Sequence, residues 1–253
     1  MNAVEESPTL AEPANTAAPV DKSQARVREM FGAIAGRYDF LNHLLSLNID
    51  KYWRWRTVRR VKPTGSAPLL DVCTGTGDLA LAYDRAARGS VPIMAADFCP
   101  EMLAIGRRKG QRAGADGRIV FVEADAQNLP FPDDHFQIVS VAFGLRNVTD
   151  TDRGLRELTR VCMPGGTVAV LEFSTPSWQP FKAVYSWYFR NVLPRIGQAL
   201  ARNRQGAYNY LPASVEQFPS GAALAARMES AGLKQVRYVP LTFGVATLYT
   251  GVK

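Results

Sequence analysis

The sequence predicts an α/β protein built on a doubly wound, mostly parallel sheet, and two observations carry that prediction. Between residues 69 and 173, apolar runs with the length of buried strands alternate with segments of helical periodicity. The first of these runs, 69–73, leads directly into a glycine-containing loop and then a helical segment. Parallel sheets that bind nucleotides use this strand, loop and helix arrangement at the carboxyl end of their first strand.

The elements follow one another in a regular order. A helical prefix is expected over about residues 23–62. After it we expect, in order, strand 69–73, helix 78–88, strand 92–97, helix 100–113, strand 118–124, strand 136–143, helix 151–161, a tight turn at 163–166, strand 166–173 and the terminal strands 234–240 and 243–252. Ligands of such a sheet bind beyond the carboxyl ends of its strands, so the predicted site lies there.

Length and composition bound the domain organisation. With 253 residues, 47% of them hydrophobic, the chain can bury a full core as one domain. Residues 1–24 are rich in Ala, Pro, Glu, Ser and Thr and are expected to be a disordered leader. The remaining residues, 25–253, form a single domain, in which 25–62 is a prefix that can act as a lid and 176–213 is a helical cap insertion.

Targeting signals and cysteines favour a cytoplasmic protein. The leader carries acidic residues and lacks an apolar core, unlike a signal peptide. No segment approaches the roughly 18 apolar residues that a membrane-spanning helix needs. Cys73, Cys99 and Cys162 show neither metal-ligand spacing nor a disulfide framework, so we expect no metal site and a reducing compartment.

The loop after the first strand has the features of a cofactor site. Gly75 and Gly77 lack the Cβ atoms that would keep a ligand away from the backbone, and Asp78 can cap the following helix. Asp97 closes the second strand, 22 residues after Gly75, and can accept hydrogen bonds from both hydroxyls of a ribose. The pattern predicts a cofactor that contains adenosine, and by itself it also fits NAD.

Acidic residues near the loop favour S-adenosylmethionine over NAD. Asp71 lies four residues before Gly75 and can face an ammonium group, directly or through water. Glu123 and Asp125 close the third strand, where Asp125 can accept from the adenine amino group. NAD would place its pyrophosphate in the loop, and these carboxylates would repel it.

Four motifs carry a family resemblance that extends from about Ser23 to the end of the chain. They are the segment 38–42 followed by Ser46, Trp53 and Arg54; the segment 71–78; the segment 143–147; and the segment 208–212 leading to Ser214, Phe218 and Pro219. On these motifs the chain resembles the ubiquinone/menaquinone biosynthesis C-methyltransferase family. One departure is Asp50, which stands where the family often has His.

The resemblance implies the class I S-adenosylmethionine-dependent methyltransferase fold, a Rossmann-like sheet whose last strand is antiparallel. It also implies methylation at a ring carbon of a prenylated quinol, either demethylmenaquinol or a polyprenyl benzoquinol. The expected cofactor contacts are Asp71, Thr74, Gly75, Gly77, Asp97, Asp125 and Ala126. The expected substrate contacts are Tyr38, Asn42, Arg146, Asn147, Tyr188 and Tyr208.

The chemistry assigns roles to two adjacent residues after the fourth strand. Carbon methylation requires the reduced quinol, whose ionised hydroxyl pushes electron density onto the neighbouring ring carbon. Arg146 stays protonated and can stabilise the quinolate oxygen, while Asn147 can bond the other ring oxygen. The general base is left open among Asp39, His43, Asp50 and Glu172. Asp39 is the third catalytic candidate beside Arg146 and Asn147.

Two basic segments raise the question of a membrane partner. The net charge is +7. One cluster comprises Lys182, Arg190, Arg195, Arg202 and Arg204, and the other comprises Lys51, Arg54, Arg56, Arg59, Arg60 and Lys62. Beside the first, Phe181, Val184, Tyr185, Tyr188, Phe189, Val192 and Leu193 recur at helical spacing up to Pro194. Two interpretations stay open: a face for a polyprenyl tail and anionic lipid at the membrane, or a solvated face over a cap that packs on the core.

Other functions fit the residues less well. A nucleic-acid methyltransferase would suit a basic chain, but neither the Asn/Asp-Pro-Pro-aromatic group nor a Pro-Cys nucleophile is present, so no nucleic-acid partner is expected. A nicotinamide-linked dehydrogenase would need Tyr-x-x-x-Lys on a helix, and the only such pair, Tyr249 and Lys253, lies in a predicted strand. A methyltransferase for another small molecule, a protein that only binds the cofactor and a homodimer all remain open.

Overall fold

A seven-stranded sheet forms the centre of the computed structural model, which describes residues 20–176, 178–192, 195 and 207–253. Its strands are β1 (Leu69–Val72), β2 (Ile93–Asp97), β3 (Ile119–Glu123), β4 (Phe136–Ala142), β5 (Cys162–Phe173), β6 (Lys234–Leu241) and β7 (Ala246–Val252). They lie in the order β3-β2-β1-β4-β5-β7-β6, with β1 to β5 parallel and β7 antiparallel to both of its neighbours. The predicted doubly wound sheet with an antiparallel last strand is confirmed.

Helices cover both faces of this sheet. They are α1 (Gln24–Leu45), α2 (Ile49–Arg60), α3 (Asp78–Ala87), α4 (Pro100–Arg112), α5 (Thr151–Val161), α6 (Phe181–Trp187), α7 (Ala207–Gln217) and α8 (Ala222–Ser230). On one face α3 and α4 pack over Leu69 and Ile93, and on the other α5 and α8 pack over Leu70 and Val139. Because both faces are covered, the central strands are apolar on both sides, as is usual for parallel sheets.

The structure differs from the expected elements at two places. The prefix is two helices, because Leu47 and Asn48 adopt positive φ angles of 52° and 62° and turn the chain between α1 and α2. The expected turn at 163–166 is instead an irregular stretch inside β5, between the paired residues Cys162 and Thr167. Gly165 has a φ of 76° there, which suits glycine.

Several predicted segments lie wholly or partly outside the described residues. Of the leader, 1–24, the structure describes only residues 20–24, where the N–H of Val20 donates to Gln217 Oε1 at 2.9 Å. The cap insertion, 176–213, is described as α6, a π-helical turn at Tyr188–Val192 and the start of α7. Leu193, Pro194, Arg202 and Arg204 lie outside the described residues. The domain boundaries and the leader therefore stay predictions.

Candidate active site

Two adjoining cavities lie at the carboxyl edge of the parallel strands. The larger has a volume of about 520 Å³ and the smaller about 60 Å³. Both are bordered by Phe31, Tyr38, Cys73, Gly75, Ala142 and Phe143. Of the predicted site residues, the larger cavity is lined by Tyr38, Asn42, Asp71, Thr74, Gly75, Arg146 and Tyr188, and the smaller by Tyr38, Gly75, Asp97, Asp125, Ala126 and Asn147. The carboxyl ends of the strands thus bring most of the predicted site together.

The two glycines of the loop serve different purposes. Gly75 has a φ of 57°, and a Cβ added there would meet no atom closer than Tyr38 Cε1 at 4.0 Å, so the loop is open towards the cavities. Gly77 has a φ of 82°, and a Cβ there would lie only 2.9 Å from Phe121 Cε1. Gly77 lines neither cavity. It is therefore needed for close packing of the loop on β3.

The expectation that Asp78 caps α3 is wrong. The N-cap position of this helix is occupied by Gly77, which has no side chain to supply a cap. The carboxylate of Asp78 instead forms an ion pair with Lys109 of α4 and lies 3.8 Å from the guanidinium of Arg54. A charged partner in reach competes successfully with the backbone N–H groups for this carboxylate.

Asp97 is held by the backbone in a position suited to accept hydrogen bonds. The Gly75 N–H donates to its Oδ2 at 2.8 Å, and the Cys99 N–H donates to its Oδ1 at 2.9 Å. The remaining acceptor capacity of this carboxylate suits a ribose hydroxyl. Burial raises the pKa of Asp97 to about 6, against the opposing effect of these backbone hydrogen bonds.

Asp71 is oriented by two hydroxyl groups. Thr74 Oγ1 donates to Asp71 Oδ2 at 2.6 Å, and Ser140 Oγ donates to Asp71 Oδ1 at 2.8 Å. Ser140 is paired with Asp71 in the register of β1 and β4, which explains this contact between residues 69 positions apart. Burial raises the pKa of Asp71 to about 6.

Asp125 is shared between its own loop and α1. The Gln127 N–H donates to Asp125 Oδ1 at 2.9 Å, while Gln24 Nε2 donates to Asp125 Oδ2 at 2.6 Å. Gln24 thus occupies the acceptor that the sequence assigns to the adenine amino group. The prefix forms one wall of the smaller cavity through this residue, Val27 and Phe31.

The described residues fit an adenosyl donor that carries an amino-acid tail. Asp71 and Thr74 face the larger cavity and Asp97 and Asp125 the smaller, so a ligand that reaches all of them lies across both cavities at Gly75. Asn147 Oδ1 is buried and has no hydrogen-bond partner among the described residues. Such an orphaned acceptor is costly unless a donor from a ligand or water satisfies it.

A buried ion pair fixes Arg146, which lines the larger cavity. Arg146 Nη1 donates to Glu172 Oε1 at 2.8 Å, and these two side chains are only 6% and 1% exposed. The Phe173 N–H also donates to Glu172 Oε1 at 2.9 Å. The guanidinium carbon of Arg146 lies 5.2 Å from the centre of the Phe173 ring. Arg146 is therefore fixed beside an aromatic wall, with its charge compensated by Glu172.

The structure separates the three catalytic candidates. Arg146 lines the larger cavity, whereas its neighbour Asn147 lines the smaller one, so the two do not face one ring together. Asp39 lines neither, because its carboxylate accepts from Lys109 Nζ at 2.7 Å and from Thr76 Oγ1 at 2.5 Å. This placement does not support a catalytic role for Asp39. The side chain of Tyr208 is not among those described.

Sequence reasoning missed the environment of Arg54. This residue belongs to one of the predicted surface clusters, yet its side chain is only 13% exposed and pairs with the buried Asp50. Asp50 also accepts from His43 Nδ1 and Ser46 Oγ, both at 2.8 Å. Burial opposes ionisation of Asp50, but Arg54 together with Ser46 and His43 outweighs it and lowers the pKa of this carboxyl, so Asp50 is a weak base. Asp50 and Arg54 are four residues apart on a helix, the spacing at which opposite charges pair, so the sequence could have indicated this contact.

Comparison with known proteins gives a consistent result. The family model of the ubiE/COQ5 methyltransferase family matches residues 20–253. The chain is 47% identical over 228 residues to the ubiquinone/menaquinone biosynthesis C-methyltransferase UbiE of Geobacter sulfurreducens, covering 90% of this chain and 88% of that protein. It is 50% identical over 222 residues to the demethylmenaquinone methyltransferase of Thermus thermophilus, covering 88% and 99% of the two chains.

Solved structures share the fold at low sequence identity. A SAM-dependent methyltransferase from Thermotoga maritima matches with a TM-score of 0.63 and 18% identity, over 89% of this chain and 99% of that one. Phosphoethanolamine N-methyltransferase 2 of Haemonchus contortus, solved with S-adenosyl-L-methionine, matches with a TM-score of 0.56 and 13% identity, over 79% and 52% of the two chains. The predicted class I methyltransferase fold is confirmed.

Proposed function

The chain belongs to the ubiE/COQ5 methyltransferase family, and we propose that it methylates a ring carbon of a prenylated quinol, with S-adenosylmethionine as the donor, in respiratory quinone biosynthesis. Membership of this family decides against the nicotinamide-linked dehydrogenase that the glycine loop also allowed. The observation that carries the proposal is the larger cavity, which is mainly apolar, adjoins the glycine loop and is lined by Arg146, the cation of the buried pair with Glu172.

The donor would be held by the residues at the two cavities. S-adenosylmethionine supplies a methyl group on a positively charged sulfur, which is already a strong electrophile. Asp71 would face its ammonium group, and Asp97 would accept from the ribose hydroxyls. Asp125 would accept a hydrogen bond from the adenine amino group, which would replace the present bond from Gln24 Nε2.

The quinol ring would be positioned by aromatic and cationic side chains. Phe143 and Phe173 lie 4.4 Å apart between ring centres, and Trp53 packs against Phe143 at 5.7 Å. These rings exclude water and offer a flat apolar surface for a quinol. Arg146 would stabilise the negative charge that develops on a quinol oxygen. Because the methyl donor is already reactive, alignment of the ring and this electrostatic stabilisation would supply most of the catalysis.

A labelling experiment tests the proposed reaction. Purified protein is incubated with S-adenosylmethionine labelled in the methyl group and with a reduced, prenylated demethylnaphthoquinol or benzoquinol, and the lipid is extracted. We expect label in the methylated quinol, little label from the oxidised quinones, and none in RNA offered instead, because only the reduced ring is nucleophilic at carbon. Label in RNA, or no label in either lipid, contradicts the proposal.

Exposed apolar side chains surround the mouth of the larger cavity. Leu47, Trp187 and Phe243 line the cavity and are 74%, 61% and 68% exposed. Helix α2, which follows Leu47 in the chain, exposes the cations Lys51, Arg56, Arg59 and Arg60. Apolar and basic groups together suit an anionic membrane surface, from which a prenyl tail could enter the cavity. No helix among the described residues is long and apolar enough to cross a membrane.

Vesicle flotation tests this membrane surface. We expect the protein to float with anionic vesicles at low salt and to be released by high salt or by neutral lipid. Each cation near the membrane surface contributes about 1 kcal/mol to the free energy of binding. The double variant Arg56→Glu and Arg59→Glu should therefore weaken vesicle binding at least about thirtyfold. Arg108→Glu with Arg112→Glu, the same charge change on the exposed part of α4, is the matched control. Equal binding of the two double variants contradicts the prediction.

A homodimer and a cytoplasmic location stay predictions.

A further inference from the structure

Two buried polar groups that line the larger cavity have unused hydrogen-bonding capacity. They are Arg146 Nε and the hydroxyl of Tyr210, and neither atom has a hydrogen-bond partner among the described residues. Buried polar atoms in folded proteins are nearly always paired, so an orphaned group at a cavity wall indicates a ligand or water that completes it. Both of these groups can donate a hydrogen bond, which indicates an acceptor atom in the ligand.

Packing holds Tyr210 rigidly at this position. Its side chain is 8% exposed and belongs to an apolar cluster with Met30, Ile34 and Leu41 of α1 and Val215 of α7. Helix α7 also packs against the short 3-10 turn that carries Arg146. The hydroxyl group and the guanidinium are thus presented to one cavity by neighbouring elements, and the ring of Tyr210 does not need to be ordered when a ligand binds.

The protonation state of Tyr210 supports a donor role. Burial raises the pKa of its phenol, and the positive charge of Arg146 opposes this shift only in part. Tyr210 is therefore protonated near neutral pH and can donate a hydrogen bond, whereas it is not available as a base.

We propose that Tyr210 is a catalytic residue whose hydroxyl donates a hydrogen bond to the quinol oxygen that Arg146 also addresses, so that two donors share the negative charge of the quinolate. This inference rests on the proposed function, because it requires an aromatic substrate with an ionisable hydroxyl group. It assigns to Tyr210 a task that the motif 208–212 does not reveal by itself, since that motif holds two tyrosines, Tyr208 and Tyr210.

The variant Tyr210→Phe tests the inference, because it removes only the hydroxyl. We expect kcat to fall about tenfold, with the KM for S-adenosylmethionine unchanged, since a hydrogen bond to a charged oxygen is lost. Weaker stabilisation of the quinolate should also raise the pH at which kcat reaches its plateau by about one unit. The melting temperature should be unchanged or higher, because an orphaned buried hydroxyl is removed.

Tyr83→Phe is the matched control. The hydroxyl of Tyr83 is also buried and unpaired among the described residues, but it lies in the core under α3 and lines neither cavity. This variant should keep the kcat and the pH profile of the wild type.

The outcomes distinguish this inference from the proposed function. If the wild type labels the quinol and Tyr210→Phe keeps its kcat and pH profile, the role of Tyr210 is refuted and the function stands. If Tyr210→Phe loses activity together with melting temperature and without a shifted pH profile, the residue is structural and the inference is also refuted. If the wild type does not label the quinol, the function fails and the inference fails with it.

Discussion

Replacing Arg146 with methionine should slow methyl transfer by a factor of about 100 to 1000, the usual cost of removing a donor to a developing oxyanion. The affinity for S-adenosylmethionine should stay within about twofold, because the guanidinium of Arg146 bonds Phe143 and Glu172 and none of the residues assigned to the donor. Single-turnover rates with labelled donor and calorimetry with the demethylated product measure the two quantities separately. Equal losses in both would show that Arg146 acts through the donor site.

A second variant separates the effect of the Arg146 charge on turnover from its effect on stability. In Arg146→Met the carboxylate of Glu172, which is 1% exposed, loses its partner, so the free energy of unfolding should fall by about 3–5 kcal/mol. Adding Glu172→Gln removes that unpaired charge and should restore most of the stability. Turnover should stay low, since the cation assigned to the quinol oxygen is still missing. Recovery of turnover in the double variant would contradict the role assigned to Arg146.

Lowering the pH from 7 to 5 should weaken cofactor binding by about a hundredfold, because Asp71 and Asp97 both have a pKa of about 6. Below that pH each carboxyl takes up a proton. Asp71 then loses its attraction for the ammonium group, and Asp97 loses part of its capacity to accept from the ribose. Each group alone accounts for about a tenfold loss over this range. Calorimetric titration with S-adenosylmethionine at several pH values measures the effect.

Unfolding of the protein does not account for this loss. A carboxyl whose pKa is higher in the folded than in the unfolded state takes up its proton first in the folded state, so these two groups stabilise the fold as the pH falls from 6 towards 4. In the variant Asp97→Asn the loss between pH 7 and 5 should shrink to about tenfold, since one titrating group remains. An affinity that is flat over this range would contradict the roles of both acids.

Local sequence patterns predicted the sheet and the cofactor side of the site. The spacing of apolar residues that indicates a strand or a helix can be recognised within one segment of the chain. Both faces of β1, β2 and β4 are apolar because helices cover them. Gly75 and Asp97 were predicted at the carboxyl edge since a parallel sheet brings the ends of its strands to one side, and the Gly75 N–H indeed donates to Asp97.

Other features depend on contacts between distant segments. Asp39 was a plausible base by sequence, but Lys109, 70 residues away, pairs with it. Arg54 was expected at the surface, and Asp50 turns it inward. The position of each of these side chains depends on which opposite charge lies near it in the folded protein, because a buried charge without a partner is very costly.

Residue order along single segments was enough to predict the α/β sheet, the glycine loop, the acidic residues at the carboxyl ends of the strands and the family motifs. Contacts between distant segments were needed to show that Arg146 and Asn147 line different cavities. They were also needed to show that Tyr210 lines the larger cavity with a buried hydroxyl that has no hydrogen-bond partner among the described residues. A side chain on a short turn or helix takes its direction from the elements that cover it, and these come from distant parts of the chain.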